Sequence, residues 1–377
     1  MSQHYNPVRV IFGKDSLNNL PDEIKKIGNK CLLVTQNNSE PMVAMSNRIV
    51  ELLKNNSIEV ETFFDVRPNP YVKDVQRGVD VVRSGNYDVV VAVGGGSVID
   101  TSKVLCYCVG KDIDWDAAFK GETLASNPKR LPLIAVPTTA GTGSHCTQAA
   151  VISDENNFKH TLFSYDFFPS CAIVDYMLTM SLPKFLTAST GYDAFCHLSE
   201  AYINGRLSGL TKYITVNAIK DIIEYLPKLM VENKEEYREK MSTADTAAGI
   251  TLSNGGATVP HAFGETISSS VFRINHGCSL AIVYPNFIEH YYDNAEFGER
   301  IKDIIDLMNK DNIEVKNGKD AKQIMINFIE SLGMKYHLSD YDLTEDEYKT
   351  IRNHFENQTR FNKDDVKEII EEICTNK

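Results

Sequence analysis

At 377 residues, with 42% hydrophobic and 24% charged side chains, the chain can bury a large core and divide into two domains. That composition excludes disordered, fibrous and collagen-like classes. The balance of 39 Lys and Arg against 51 Asp and Glu, net −12, opposes the counterion release behind nucleic-acid binding, so no nucleic-acid partner is expected.

In the first half, short β-branched runs alternate with amphipathic segments. Strands are expected at 31–35 (CLLVT), 59–64, 88–93 (DVVVAV) and 133–136, and helices at 42–53, 72–84 and 98–109. This alternation implies a parallel sheet with helices on both faces, whose ligands bind at the carboxyl ends of the strands. Between 147 and 174 the runs TQAAVIS, KHTLF and AIVD suggest a small antiparallel addition. From 182 onward the segments are long and helically spaced: 191–205, 209–226, 235–252, 279–291, 296–309, 319–332 and 363–375. The expected fold class is therefore an α/β amino-terminal domain with a Rossmann-like sheet, 1–181, plus an all-α carboxyl-terminal domain, 182–377. The join at Ser181-Leu182-Pro183 lacks linker composition, so a shared cleft is expected.

The apolar runs 89–93 and 131–136 are too short to span a bilayer, and the opening MSQHYNPVRV shows no signal pattern. The eight cysteines are scattered, with no C-x-x-C, and read as reduced thiols. A cytoplasmic protein without membrane association is expected.

The stretch VVVAVGGGSVIDTSK runs from a buried strand through Gly94, Gly95 and Gly96 into a helix that begins near Ser97. Glycines let backbone N–H groups approach a phosphate, and the helix N-terminus adds about half a unit of positive charge. A tight turn without a ligand is the plain alternative, since the spacing fits neither G-x-G-x-x-G nor the P-loop. A second hydroxyl- and glycine-rich segment, VPTTAGTGS at 136–144, follows the next buried strand, and two such loops favour a dinucleotide. The ribose is normally met by a carboxylate at the end of an earlier strand. Gln36, Asn37, Asn38 and Ser39 stand there instead, which leaves NADP(H) allowed beside NAD(H).

Asp193 and His197 lie four apart on an expected helix, so both face one side. His261 in TVPHAFGE and His276 in RINHGCS, fifteen apart, add two imidazoles from loop-like or helix-start contexts. One carboxylate and three imidazoles suit Fe²⁺ or Zn²⁺ with an open position for substrate. Taken singly, each histidine reads as an ordinary core or surface group.

These motifs together resemble the iron-containing (group III) alcohol dehydrogenases, within the superfamily that also holds glycerol dehydrogenase and dehydroquinate synthase. The resemblance runs from PNP at 68–70 through GGGSVID with Lys103, PTTAGTGS, TGYDAFCHLSEAY and PHAFGE to NHG. It implies a divalent metal on Asp193, His197, His261 and His276. It also implies NAD(P)(H) bound around Gln36, Asn69, Gly94, Gly95, Gly96, Ser97, Asp100, Thr138, Thr139 and Thr142. The implied reaction is hydride transfer between that cofactor and a primary alcohol or short aldehyde, running as an aldehyde reductase in a homodimer.

Three departures stand out. Glu265 replaces the histidine many members carry four residues after the position of His261, His145 replaces the glutamate usual after GTGS, and Tyr71 replaces the threonine usual after PNP. Glu265 and His145 are thus the candidate catalytic residues. PHAF followed by a non-histidine also resembles reductases of anionic short aldehydes such as phosphonoacetaldehyde or sulfoacetaldehyde, with His145 or Arg273 to meet the tail. A lyase like dehydroquinate synthase would need a pocket crowded with basic residues, and only Lys103, Lys159 and Arg273 lie near the motifs. A non-catalytic binding protein is disfavoured by the intact ligand set.

Overall fold

The computed structural model describes residues 3–36, 39–357 and 363–375. It comprises two compact units, Tyr5–Leu182 and the chain from Pro183 onward, the latter joined by Gln3 and His4.

The first unit contains, in chain order, β1 (Arg9–Phe12), α1 (Leu20–Lys25), β2 (Lys30–Val34), α2 (Glu40–Asn55), β3 (Glu59–Phe63), α3 (Val72–Ser84), β4 (Val89–Gly94), α4 (Gly96–Tyr107), α5 (Trp115–Phe119), β5 (Leu133–Pro137), β6 (Ala149–Ser153), β7 (Lys159–Phe163) and β8 (Cys171–Val174). Six strands form one sheet in the order β1-β8-β5-β4-β2-β3, and each of its pairings is parallel. β4 and β5 are apolar without alternation because both of their faces are covered. Leu32, Val34, Val90, Ala92, Leu133 and Ala135 pack on one side with residues of α3 and α4 such as Val79 and Leu105. Cys31, Leu33, Val89, Val91, Ile134 and Val136 pack on the other with Leu20, Ile24, Ile49 and Leu53 of α1 and α2.

β6 and β7 form a separate antiparallel pair, with Ala149 opposite Phe163. The expectation that AIVD belongs to that addition is corrected. Cys171–Val174 is β8, a parallel member of the main sheet between β1 and β5. A four-residue apolar run between turns carries too little periodicity to distinguish the two settings. From β2 the chain moves outward to β3, crosses back to β4 and continues the other way to β5, so the order reverses between β2 and β4. That reversal is where open α/β sheets form a ligand crevice at the strands' carboxyl ends.

The second unit is helical among its described residues: α6 (Lys184–Ile203), α7 (Gly209–Val231), α8 (Glu235–Gly255), α9 (Val259–Ser270), α10 (His276–Tyr291), α11 (Gly298–Met308), α12 (Gly318–Ser331), α13 (Glu345–Asn357) and α14 (Lys363–Thr375). α6 is the central rod. From Gly191 to Ile203 every residue is buried, and apart from Asp193, His197 and Glu200 the stretch consists of apolar, aromatic or small groups. Phe195 on this helix is fully buried among the rings of Tyr192, Tyr284 and Phe328. Phe195→Ala should therefore cost about 3–5 kcal/mol, read from chemical denaturation of the full chain. A loss below about 1 kcal/mol would mean that the core around α6 collapses into the space.

Candidate metal centre and dinucleotide cradle

α6 presents Asp193 and His197 one turn apart, both buried. The first turn of α9 brings His261 and the first residue of α10 is His276, so all four candidates come from helices of one unit. The start of α10 is set against α6 by direct contact. Asn275 caps α10 by accepting from Cys278 N–H at 3.1 Å, and it also accepts from the Ser189 hydroxyl on α6 at 2.7 Å. A Cβ at Gly277 would lie 1.9 Å from the Ser189 carbonyl oxygen, so only glycine allows this approach, and it brings the neighbouring His276 to Asp193.

Three imidazole nitrogens surround one carboxylate oxygen. Asp193 Oδ1 is 3.4 Å from His261 Nε2, 3.6 Å from His276 Nε2 and 3.7 Å from His197 Nδ1. Asp193 Oδ1 and His261 Nε2 are buried and make no hydrogen bond. Ligands held at about 2.1 Å around a tetrahedral Zn²⁺-type ion are separated by about 3.4 Å, so these spacings fit a small divalent cation between the side chains. Asp193, His197 and His261 offer ligand atoms that all lie within 4.8 Å of one another. His276 approaches Asp193 but stands outside that closest set, with its side chain 26% exposed.

The electrostatics favour positive charge at this point. Burial alone would raise the Asp193 pKa, but His197, His276 and His261 together hold it below the carboxylate range. Burial opposes a charged His261, yet Glu200 on one side and Asp193 on the other push its pKa up to about 10.

Glu200, which sequence reasoning missed, is fully buried and its Oε1 lies 2.5 Å from His261 Nδ1. Its Oε2 accepts from the Thr258 N–H at 2.7 Å and from the Thr258 hydroxyl at 2.9 Å. The signal was present in the helical period, since 193, 197 and 200 share one face of α6. Glu265 lies one turn beyond His261 on α9 and is buried.

In the α/β unit, the glycines and the hydroxyl-rich loop meet at the carboxyl ends of β4 and β5. Thr138 N–H donates to Gly94 O at 3.0 Å. A Cβ on Gly95 would sit 3.2 Å from the Thr139 side chain, and one on Gly96 would sit 2.8 Å from that of Thr142. Gly95 precedes α4 as its N-cap and Ser97 lies in its first turn, where the first N–H groups of a helix have no partner in the preceding turn. Asn69, in the left-handed region at φ 54°, brings its N–H to the Ser97 hydroxyl at 3.3 Å.

Asp100 and Lys103 turn inward. Asp100 accepts from the Ser144 hydroxyl at 2.5 Å and from Val151 N–H at 3.0 Å. Lys103, fully buried, donates to Ser144, Thr147 and the Ala149 carbonyl. His145 is buried beside them; desolvation and the Lys103 charge push its pKa down to about 3, so it stays neutral.

Gln36 follows β2 and is bridged to Asp65 beyond β3. The Asp65 carboxylate lies 3.3 Å from Arg77 Nε, and 29 positions separate Asp65 from Gln36 in the sequence. Asn37 and Asn38 lie outside the described residues.

Comparison with known proteins bears on both units. The family described as iron-containing alcohol dehydrogenase matches residues 7–176, and its carboxyl-terminal counterpart matches residues 187–374. The chain belongs to the iron-containing alcohol dehydrogenase family. Aldehyde-alcohol dehydrogenase 2 of Entamoeba histolytica is 33% identical over 75% of this chain, which spans 33% of that protein's length. The NADPH-dependent butanol dehydrogenase of Clostridium saccharobutylicum is 30% identical over 97% of this chain and 96% of its own. Among solved structures, sulfoacetaldehyde reductase from Bifidobacterium kashiwanohense in complex with NAD⁺ superposes with a TM-score of 0.82 at 26% identity, over 100% of both chains.

Proposed function

We propose that this family member is a metal-dependent oxidoreductase that passes a hydride between NAD(P)(H) and a primary alcohol or short uncharged aldehyde, working as an aldehyde reductase. The observation that carries this reading is the buried convergence of Asp193, His197 and His261, with His276 adjoining, in a chain similar along its whole length to a butanol dehydrogenase. A bound Fe²⁺ or Zn²⁺ supplies Lewis acidity toward the substrate oxygen. Asp193 and the three imidazoles hold it. The N–H groups of Gly95, Gly96 and Ser97, with the hydroxyls of Thr138, Thr139 and Thr142, bind the cofactor pyrophosphate. Burial beside Lys103 keeps His145 neutral and a poor base, so the proton moves through Glu265, one turn beyond His261, or through a water chain to the ribose hydroxyl. The cysteines, all eight free and buried, are consistent with a cytoplasmic protein. No helix among the described residues is long and apolar enough to cross a membrane. A homodimer is the expected assembly.

A second reading, an anionic short aldehyde, draws support from the sulfoacetaldehyde reductase likeness. Two side chains weigh against it. Arg273 forks onto Glu347 and donates to the carbonyls of Tyr341 and Asp342, and neutral His145 offers no charge to a sulfonate. The same commitments, with Lys103 buried in its own network, count against a lyase that binds a phosphorylated acid. A steady-state screen of butanal, propanal, sulfoacetaldehyde and phosphonoacetaldehyde with NADH and NADPH, on enzyme of known metal content, tests this. The expected result is higher kcat/KM for the uncharged aldehydes; a preference for sulfoacetaldehyde would favour the second reading, and no turnover of any aldehyde would defeat both.

Cofactor choice follows from Gln36. With an amide where a discriminating carboxylate stands in NAD-specific folds, NADPH should be used at least comparably to NADH, and Gln36→Asp should weaken NADPH binding while sparing NADH. Strict NADH specificity in the wild type, left unchanged by that substitution, would move the discriminating role to Asp65 across the bridge.

A further inference from the structure

His261 is gripped from behind. Its Nδ1 faces a carboxylate that solvent does not reach, and that carboxylate belongs to α6, the helix that also carries Asp193 and His197. We propose that Glu200 is the positioning residue that makes His261 a metal ligand, by keeping the imidazole proton on Nδ1 and turning the Nε2 lone pair toward Asp193. The inference rests on the metal reading above.

Both oxygens of Glu200 contribute. A buried carboxylate is costly unless donors satisfy it, and here three are in place: His261 Nδ1–H on Oε1, and the Thr258 N–H and hydroxyl on Oε2. Thr258 is the N-cap residue of α9, yet its side chain does not cap its own helix. Its hydroxyl donates to Glu200 instead, so the end of α9 is fastened by a carboxylate from α6, where negative charge also complements the helix dipole. The fastening and the ring orientation therefore share one side chain. An imidazole whose Nδ1–H is held this way offers only Nε2 to a cation, and Nε2 is the nitrogen found 3.4 Å from Asp193 Oδ1. At 193, 197 and 200, one face of α6 supplies two ligands and the group that aims a third.

The test uses the full-length chain loaded with Zn²⁺. In Glu200→Gln the amide oxygen still accepts from Nδ1–H but the amide nitrogen cannot accept from Thr258. Glu200→Leu loses both functions. Chelator competition should show Zn²⁺ affinity falling by about tenfold in the first and by about 100-fold in the second, the range for lost partners of metal-bound histidines. Melting of the metal-stripped proteins, measured alongside, separates this from a general loss of stability. Should Glu200→Leu fail to fold, histidine ¹⁵N spectra of the Zn²⁺-loaded wild type decide: His261 is expected to ligate through Nε2 with an exchange-protected Nδ1–H. Unchanged Zn²⁺ affinity in both variants, or ligation of His261 through Nδ1, would overturn the role of Glu200. A wild type that binds no Zn²⁺ or Fe²⁺ would be a different result, removing the metal reading itself and this inference with it.

Discussion

Replacing His197 by alanine should strip the protein of its metal and its turnover together. His197 is one of the three closest ligand groups, its ring stacks 4.3 Å from that of His261, and its removal leaves the buried Asp193 with fewer positive neighbours. Lewis-acid assistance is worth several kcal/mol, and at 1.36 kcal/mol per factor of ten the loss should be about a thousandfold or more in kcat/KM. Metal analysis of the purified variant and steady-state rates with butanal would be read side by side, with His276→Ala expected to behave in the same way. Full activity in thoroughly demetallated wild-type protein would refute the assignment of Asp193, His197, His261 and His276.

The second large effect is expected at the glycines. Gly95→Val should raise the cofactor dissociation constant by about 100-fold, because a branched side chain at the end of α4 blocks the backbone from a pyrophosphate. The same Cβ would press on Thr139, which it would meet at 3.2 Å, so displacement of that loop is a competing cause. The double variant Gly95→Val with Thr139→Ser removes the methyl that the new Cβ meets while keeping the hydroxyl assigned to the pyrophosphate, and it does not reopen the approach to the backbone. Fluorescence titration with NADPH should find it as weak as the single variant. Recovery of normal binding in the double variant would mean that Gly95 serves only the turn.

The elements of the two candidate sites are legible in the sequence because their signals are local. A strand running into three glycines, and an Asp and a His four apart on a helix, can be read without knowing what packs beside them. What escaped depends on neighbours. β1 is a four-residue edge strand with two exposed positions, and β8 differs from a hairpin strand only in its partners. α9 was not expected as a helix because TVPHAFGETISSS looks like a loop, although Pro260 in the first turn is an ordinary helix-start signal. α13 hides its character in a polar sequence where only Ile351 and Phe355, one turn apart, are buried. α6 starts at Lys184, directly after Pro183, rather than at Gly191. Glu200 and Asp65 meet His261 and Gln36, partners 61 and 29 positions away along the chain, distances over which composition and spacing say nothing.

The eight buried thiols make the chain its own unfolding reporter. A bulky thiol reagent reacts slowly with a cysteine that solvent reaches only during opening events, and burial raises the pKa of Cys31, Cys106 and Cys108 to about 12, further suppressing the reactive thiolate. Cys31, Cys106, Cys108, Cys146 and Cys171 belong to the α/β unit, and Cys196, Cys278 and Cys374 to the helical one. Labelling under rising denaturant, read by intact mass, therefore resolves into additions of five and of three if the units open separately, and into a single addition of eight if they open as one. The cooperativity between the α/β unit and the helical unit can thus be counted in whole adducts on the unmodified sequence.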